Sequence, residues 1–249
     1  MLAGTKAPVS FFAYPGKPST LAPPDCVFTT LASVEDDIVG ALEALCDELG
    51  ARNTAPVQVA GLAPPALPGG KVTLDGIAQV LGGLIPENAI VVDEAVSSGR
   101  GFAPFTAHAQ PHDWLTTMGG SIGFGLPTSV GAALGAPGRK VITLEGDGSA
   151  MYTLQSLWTM AREQLDVTMI IFANRSYNIL RGELAAVGAG TPGQRATDML
   201  TLDRPNLDWQ AIARGHGVEA GQAATLDELA VQLKRGLASR GPYLIELVF

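Results

Sequence analysis

The residues best suited to chemistry lie directly behind two apolar runs. Val141–Leu144 (VITL) leads into Glu145-Gly146-Asp147-Gly148-Ser149, and Val167–Ala173 (VTMIIFA) leads into Asn174-Arg175-Ser176. In GDGS, Gly146 and Gly148 flank one carboxylate, and a helical pattern follows at once. Glycine lets the chain turn tightly and lets a ligand approach the backbone. A helix start offers free N–H groups and the positive end of a dipole, which suits phosphate. Asp147 supplies a hard anionic oxygen of the kind Mg²⁺ prefers, and Asn174 an amide oxygen. With a loop carbonyl near Ser176 these make half an octahedron, which diphosphate oxygens and water would complete. Asp147 and Asn174 are 27 residues apart, room for one helix and one strand. Consecutive strands joined in that way are usually neighbours, so the two residues should share one rim of a sheet. An Asp-Gly pair is also a common turn, and GDGS alone is compatible with that plainer reading.

Other candidates carry weaker signals. His108 and His112 have a helix-like metal-ligand spacing, but they sit among Gly101, Pro104 and Pro111, which favours a loop at the surface or at a pocket rim. His216 follows a helical pattern and suits the negative end of its dipole. Glu35, Asp36 and Asp37 read either as a metal site or as a favourable first helical turn behind an N-cap at Ser33. Gly119–Gly125 (GGSIGFG) is glycine-rich but does not spell G-x-G-x-x-G. A nicotinamide dinucleotide domain is a rival reading, weakened by that mismatch and by GDGS standing at the expected acidic strand end.

The elements that must position these residues follow from hydropathy patterning. Val9–Tyr14 and Cys26–Leu31 read as short strands, and Val34–Leu49 as a helix. Two strands and one helix cannot cover a sheet, so residues 1–50 read as the tail of a larger α/β unit whose earlier part is absent. Residues 51–71, with four prolines and a glycine pair, read as a linker. From Val72 onward strands and helices alternate. Thr73 caps a helix through Leu84. Strands are expected at Ala89–Val92, Trp114–Thr116, Val141–Leu144, Val167–Ala173 and Tyr243–Val248. Helices are expected at Ser121–Leu134, Met151–Arg162, Leu207–Arg214 and Leu226–Leu237. Continuous apolar strands separated by helices define an α/β fold, a doubly wound parallel sheet with helices on both faces. Ligands bind such sheets beyond the carboxyl ends of the strands.

Composition sets the outer limits. The chain has 249 residues, 47% of them apolar, and a formal net charge of −8. That charge argues against nucleic acid and anionic membranes as partners, because polyanions are repelled. The most apolar stretch is too short to span a bilayer. Two cysteines, Cys26 and Cys46, are no disulfide framework and suit a reducing, cytoplasmic setting.

Together the motifs carry a resemblance. GDGSAMYTLQSLWTMAREQLDVTMIIFANRSYNIL resembles the thiamine diphosphate motif, GDG followed by a helix and a strand ending in Asn. MGGSIGFGLPTSVGAALGAP resembles the glycine-rich segment that precedes it in the acetolactate synthase, benzoylformate decarboxylase and pyruvate oxidase family. DEAVSSG, from Asp93 to Gly99, lies where that family carries a diphosphate loop. Arg181 and the WTMAR helix bring the chain nearer to benzoylformate decarboxylase. The resemblance covers residues 72–249 as a thiamine-diphosphate-binding domain.

What it implies is specific. Asp147, Asn174 and the Ser176 main-chain oxygen would hold Mg²⁺. Gly146, Gly148 and Ser149 would lie against the diphosphate, with Val96 and Ser97 on its other side. The Gly120 carbonyl would accept a hydrogen bond from the aminopyrimidine. Ile122 would be the wedge that bends the cofactor so that its amino group reaches the thiazolium carbon; an ordinary core role for Ile122 is the competing reading. The reaction implied is decarboxylation or carboligation of a 2-oxo acid, with Arg181 and Glu183 at the substrate mouth. Gly182-Glu183 replaces a Trp-containing segment of acetolactate synthases. The stretch from Gly188 to Arg204 would be a mobile lid or a surface loop. In the family a separate pyrimidine-binding domain supplies the activating carboxylate, and the site lies between subunits. The full-length protein is accordingly expected to be a homodimer or tetramer, and residues 1–249 alone to be inactive. A non-catalytic regulatory subunit is the alternative function.

Overall fold

A computed structural model describes residues 1–14 and 16–249. The chain divides into two compact units. One comprises Met1–Val59 with Leu184–Gly190, the other Ala60–Glu183 with Thr191–Phe249. Among the described residues no helix is long and apolar enough to cross a membrane, and Cys26 and Cys46 are free and exposed.

The first unit holds a parallel pair, β1 (Leu2–Ala3) and β2 (Thr30–Ala32), and helix α1 (Ile38–Glu48). Four expectations are corrected here. Val9–Tyr14 is not a strand: Val9 makes one antiparallel bridge to Thr20, and Ser10 turns the chain back through bonds to Ser19 and Pro18. The strand expected at Cys26–Leu31 is short and shifted to Thr30–Ala32. Helix α1 starts four residues later than Val34, because the Ser33 N–H and hydroxyl both donate to Asp36 at 2.8 and 2.7 Å and close a turn. The N-cap is therefore Asp37, whose carboxylate accepts from the Gly40 N–H, and not Ser33. Ala32 is the one buried apolar residue of this unit among those described.

The second unit is built on a six-stranded, all-parallel sheet. Its elements are α2 (Leu74–Leu84), β3 (Ile90–Glu94), α3 (Phe102–Thr106), β4 (Asp113–Thr116), α4 (Gly125–Gly135), β5 (Val141–Gly146), α5 (Asp147–Ala150), α6 (Ser156–Arg162), β6 (Val167–Ala173), α7 (Asn178–Ala186, which runs into the first unit), α8 (Gln194–Met199), α9 (Trp209–Gly215), β7 (Glu219–Ala223), α10 (Leu226–Ala238) and β8 (Tyr243–Val248). The strand order is β4-β3-β5-β6-β8-β7. Because β4 and β5 lie on opposite sides of β3, the winding reverses between β3 and β5, and a crevice opens beyond their carboxyl ends.

The central strands β3, β5, β6 and β8 feed two cores by period-2 alternation. Ile142, Leu144, Ile170, Phe172 and Ile245 pack with α2 and α10 on one face. Val141, Met169, Ile171 and Leu244 pack with α4, α6 and α9 on the other. Helix caps follow the sequence: Thr73 accepts from the Gly76 N–H, and Thr225 from the Glu228 N–H.

Several boundaries differ from expectation for stated reasons. Helix α4 begins at Gly125 and not at Ser121, because Gly119, Gly120 and Gly123 adopt φ of +66°, +71° and +90°. That left-handed backbone is open to glycine and cannot continue an α-helix. The helix expected from Met151 is split into α5 and α6, joined by tight i→i+3 turns at 151–155. Strand β7, of sequence EAGQA, has no apolar pattern and escaped the sequence reading. The polar stretch 188–204 contains α8.

Close packing makes one helix glycine obligatory and leaves another free. A Cβ on Gly82 would lie 2.0 Å from the Phe105 carbonyl oxygen, whereas one on Gly131 would meet nothing within 4 Å. Gly82→Ala should lower unfolding stability by about 1–3 kcal/mol. Gly131→Ala, at an exposed helix position, should raise it by about 0.5–1 kcal/mol. Urea midpoints of the two variants check both signs.

Candidate functional site

The chemistry-bearing residues gather where β3, β5 and β6 end. Strands β5 and β6 pair in parallel with Gly146 opposite Phe172, so Asp147 and Asn174 stand on adjacent tips. Asp147 is 3% exposed. Its Oδ1 accepts the Gly148 N–H at 2.9 Å, and its Oδ2 accepts the Arg175 N–H at 2.7 Å. That second bond ties the two tips together. It requires Arg175 to turn its amide inward, which it does in the left-handed region at φ +55°.

The Asn174 turn is closed locally. Asn174 Oδ1 accepts the Ser176 N–H at 2.9 Å, and Ser176 Oγ donates to the Leu200 carbonyl at 3.1 Å. The Tyr177 and Leu202 amides donate to the Leu200 and Arg175 carbonyls, so 200–202 backs the turn. The Tyr177 ring presses on Gly148, where a Cβ would lie 2.7 Å from Cε1. One expected feature is altered. The helix behind GDGS, α5, has four residues and begins at Asp147 itself, and the Gly148 N–H is already given to Asp147. A strong helix dipole is therefore not available to a phosphate at this point.

Burial pushes the Asp147 carboxyl up to about 6, against the pull of three backbone N–H groups and the Arg175 charge. No Lys or Arg side chain forms an ion pair with it among the described residues. An acid desolvated without a cationic partner is the donor type that a divalent ion would neutralise. No group of three or more His, Cys, Asp or Glu side chains that could hold a metal occurs among the described residues. A cation at these tips would thus draw its other ligands from amide, carbonyl and ligand oxygens.

On the far side of the β3/β5 crevice, Val96 and Ser97 follow β3. Val96 has φ +46°, which is strained for a β-branched residue. Asp93 Oδ1 accepts the Ala95 N–H at 2.9 Å and fixes the start of this loop. Gly120 and Ile122 lie in the glycine loop before α4. Ile122 is 46% exposed and belongs to neither core, which removes the core alternative for it. Ser149 lies half-buried in α5, and Arg181 and Glu183 lie on α7, Arg181 exposed.

Two buried acids that the sequence reading did not assign stand beside the crevice. Glu94 and Glu145 are opposite one another in the β3–β5 register. They are 1% and 0% exposed. Among the described residues no N–H or hydroxyl donor reaches either oxygen of Glu145, and its carboxyl lies beside that of Glu94. Burial, and then the neighbouring Glu94 charge, raise its carboxyl well above the usual range, which favours the neutral acid. The signal was present in sequence: Val141, Thr143 and Glu145 alternate onto one buried face.

The remaining candidates are structural. His108 Nδ1 bonds the Gly61 carbonyl, and His112 Nδ1 the Gln110 carbonyl while its ring packs against Trp114. They form no metal pair. His216 caps α9 and its Nδ1 bonds the Ile212 carbonyl. Asp36 and Asp37 serve the α1 turn and cap, not a metal.

Residues 96–247 match the thiamine pyrophosphate enzyme, C-terminal TPP binding domain, and the chain belongs to that family. It is 50% identical over its whole length to a Mycobacterium tuberculosis protein provisionally named acetolactate synthase large subunit IlvX, of which it covers 48%. It is 38% identical, over 85% of the chain, to 39% of benzoylformate decarboxylase from Pseudomonas aeruginosa. Among solved structures, benzoylformate decarboxylase from Polynucleobacter necessarius superposes with a TM-score of 0.73 at 25% identity, over 97% of this chain and 48% of that one. The chain thus spans half or less of the length of these relatives. Family membership places thiamine diphosphate, and not a nicotinamide dinucleotide, as the ligand class of the fold.

The buried acids make stability depend on pH. With the Asp147 carboxyl raised to about 6, the folded chain binds more protons than the unfolded chain between the ordinary carboxylate range and pH 6. The penalty is absent at low pH and fully present above 6, on the order of 3 kcal/mol for a shift of this size. Without added metal, lowering the pH from 7 to 5 should raise Tm. Asp147→Asn should flatten that rise, with the remainder due to Glu145, Glu94 and Asp93, whose shifts have the same sign. Thermal melts at the two pH values check this.

Proposed function

We propose that this chain supplies the diphosphate- and Mg²⁺-binding half of a thiamine diphosphate site acting on 2-oxo acids. The observation that carries the reading is the buried Asp147 carboxylate at the tip of β5, bonded to the Arg175 N–H at the tip of β6. When bound, thiamine diphosphate supplies an electron sink for breaking or making a carbon–carbon bond beside a carbonyl.

In this reading Asp147, the Asn174 amide oxygen and the Ser176 carbonyl hold the metal. Gly146, Gly148 and Ser149 flank the diphosphate on one side of the crevice, and Val96 and Ser97 on the other. The metal offsets the carboxylate charge that would otherwise repel a diphosphate. Gly120 would accept from the pyrimidine end of the cofactor through its carbonyl, and the exposed Ile122 side chain would pack against the cofactor as a wedge. Both are positioning roles, which bring reacting groups together without supplying a proton. The activating carboxylate comes from a pyrimidine-binding domain outside this chain, contributed by a second subunit in a dimer or tetramer. The relatives named above include both a synthase and a decarboxylase. The proposed reaction class is therefore 2-oxo acid decarboxylation with protonation or carboligation of the product. Unpaired exposed cysteines suit a cytoplasmic setting.

Fluorescence titration tests the cofactor half. Thiamine diphosphate should bind only with Mg²⁺, NADH should not bind, and Asp147→Ala or Asn174→Ala should weaken binding by about tenfold or more. The purified chain, supplied with thiamine diphosphate and Mg²⁺, should release no carbon dioxide from pyruvate or benzoylformate. Steady release would overturn the proposal that activation needs another domain.

A further inference from the structure

Glu94 ends β3, and its carboxylate reaches across to the glycine loop in front of α4. Oε1 accepts the Gly123 N–H at 2.5 Å and Oε2 accepts the Gly125 N–H at 2.6 Å. The residue is 1% exposed, so both bonds are made away from water. Charge-assisted bonds of this length are about twice as strong as neutral ones. The opposite side of the same loop is also held, because Thr153 Oγ1 donates to the Gly123 carbonyl at 2.9 Å. Gly125 leaves no room to spare: a Cβ there would lie 3.0 Å from Glu94 Oε2 and 2.2 Å from Glu145 Oε2.

The Gly123 N–H belongs to the peptide unit that follows the Ile122 α-carbon. Glu94 and Thr153 therefore fix the two peptide planes after Ile122. Upstream, Gly119 and Gly120 are in left-handed backbone with no Cβ to restrain them. A loop this rich in glycine has many conformations of similar energy and needs an outside anchor to present one. We infer that Glu94 is a positioning residue, a two-point clamp that orients Ile122 and Gly120 toward the pyrimidine end of the bound cofactor. The inference rests on the thiamine diphosphate reading above for what the loop contacts, but not for the clamp itself.

Two measurements separate those parts. Hydrogen exchange on the full chain reads the clamp without any cofactor. Glu94→Gln keeps the volume but turns a donor toward one of the two N–H groups, and should speed exchange at Gly123 and Gly125 by about tenfold or more while Ile171 in β6 is unchanged. Binding then reads the positioning. Thiamine diphosphate with Mg²⁺ should bind the variant about tenfold more weakly. Inorganic pyrophosphate with Mg²⁺, which has no pyrimidine end, should bind the variant and the parent equally. Unchanged exchange at both glycines overturns the clamp, whether or not any cofactor binds. Equal loss of thiamine diphosphate and pyrophosphate overturns the positioning role, since a general collapse of the site would do that. Failure of the parent chain to bind either diphosphate would instead count against the thiamine diphosphate reading and leave the exchange result to decide the clamp. Thr153→Val releases the other side of the same loop and should give the same signature at smaller amplitude, which serves where Glu94→Gln does not fold.

Discussion

A carboxylate buried at the end of a parallel strand must find compensation, and for Asp147 that compensation is backbone. Its two oxygens take the N–H groups of Gly148 and Arg175. The Arg175 amide can point inward only because β6 lies beside β5 and the residue adopts left-handed backbone. The rest of the rim follows from this bond. With strand pairing setting Asn174 on the neighbouring tip, the bond holds the start of the turn that carries Tyr177 over Gly148, where a Cβ would lie 2.7 Å from the ring. Hydrogen bonds from N–H groups reduce the cost of burying the charge without removing it, which is why the carboxyl stays raised to about 6.

The same rim carries a surplus of acid. Glu94 and Glu145 face each other one strand away, and neither forms an ion pair with Lys or Arg among the described residues. Glu94 is stabilised by two amides, while Glu145, buried beside Glu94 with no amide donor among the described residues, is driven toward its neutral form. A site so constituted would repel a bare diphosphate and accept one accompanied by a divalent cation. The position of this charge at the reversal between β3 and β5 is a matter of topology. The loops after those strands diverge to opposite sides, and the opening between them is the natural seat for a ligand in any doubly wound sheet.

Much of the scaffold was legible in the chain. The apolar runs Val167–Ala173 and Tyr243–Val248 are strands over the residues read from hydropathy, and Thr73 caps the helix it was assigned to. Such features depend on neighbours a few residues away, and local pattern records them. The failures are equally physical. Val9–Tyr14 has the composition of a strand, but its ladder pairing among the described residues is a single bridge from Val9 to Thr20. Ser121–Phe124 has helical neighbours, yet three glycines in left-handed backbone hold it as a loop. The helix expected at Met151 is interrupted by tight turns, and there the Thr153 hydroxyl bonds the glycine loop.

By itself, then, the sequence determined the parallel α/β class, the family and the adjacency of Asp147 and Asn174, because one helix and one strand separate them and connected strands tend to pair. Only the tertiary structure decided what each polar group bonds to. The partners of Glu94 lie 29 and 31 residues away, and that of Asp147 lies 28 away across a strand gap. Burial makes those partners obligatory, but which amides they are depends on the packing of the whole sheet.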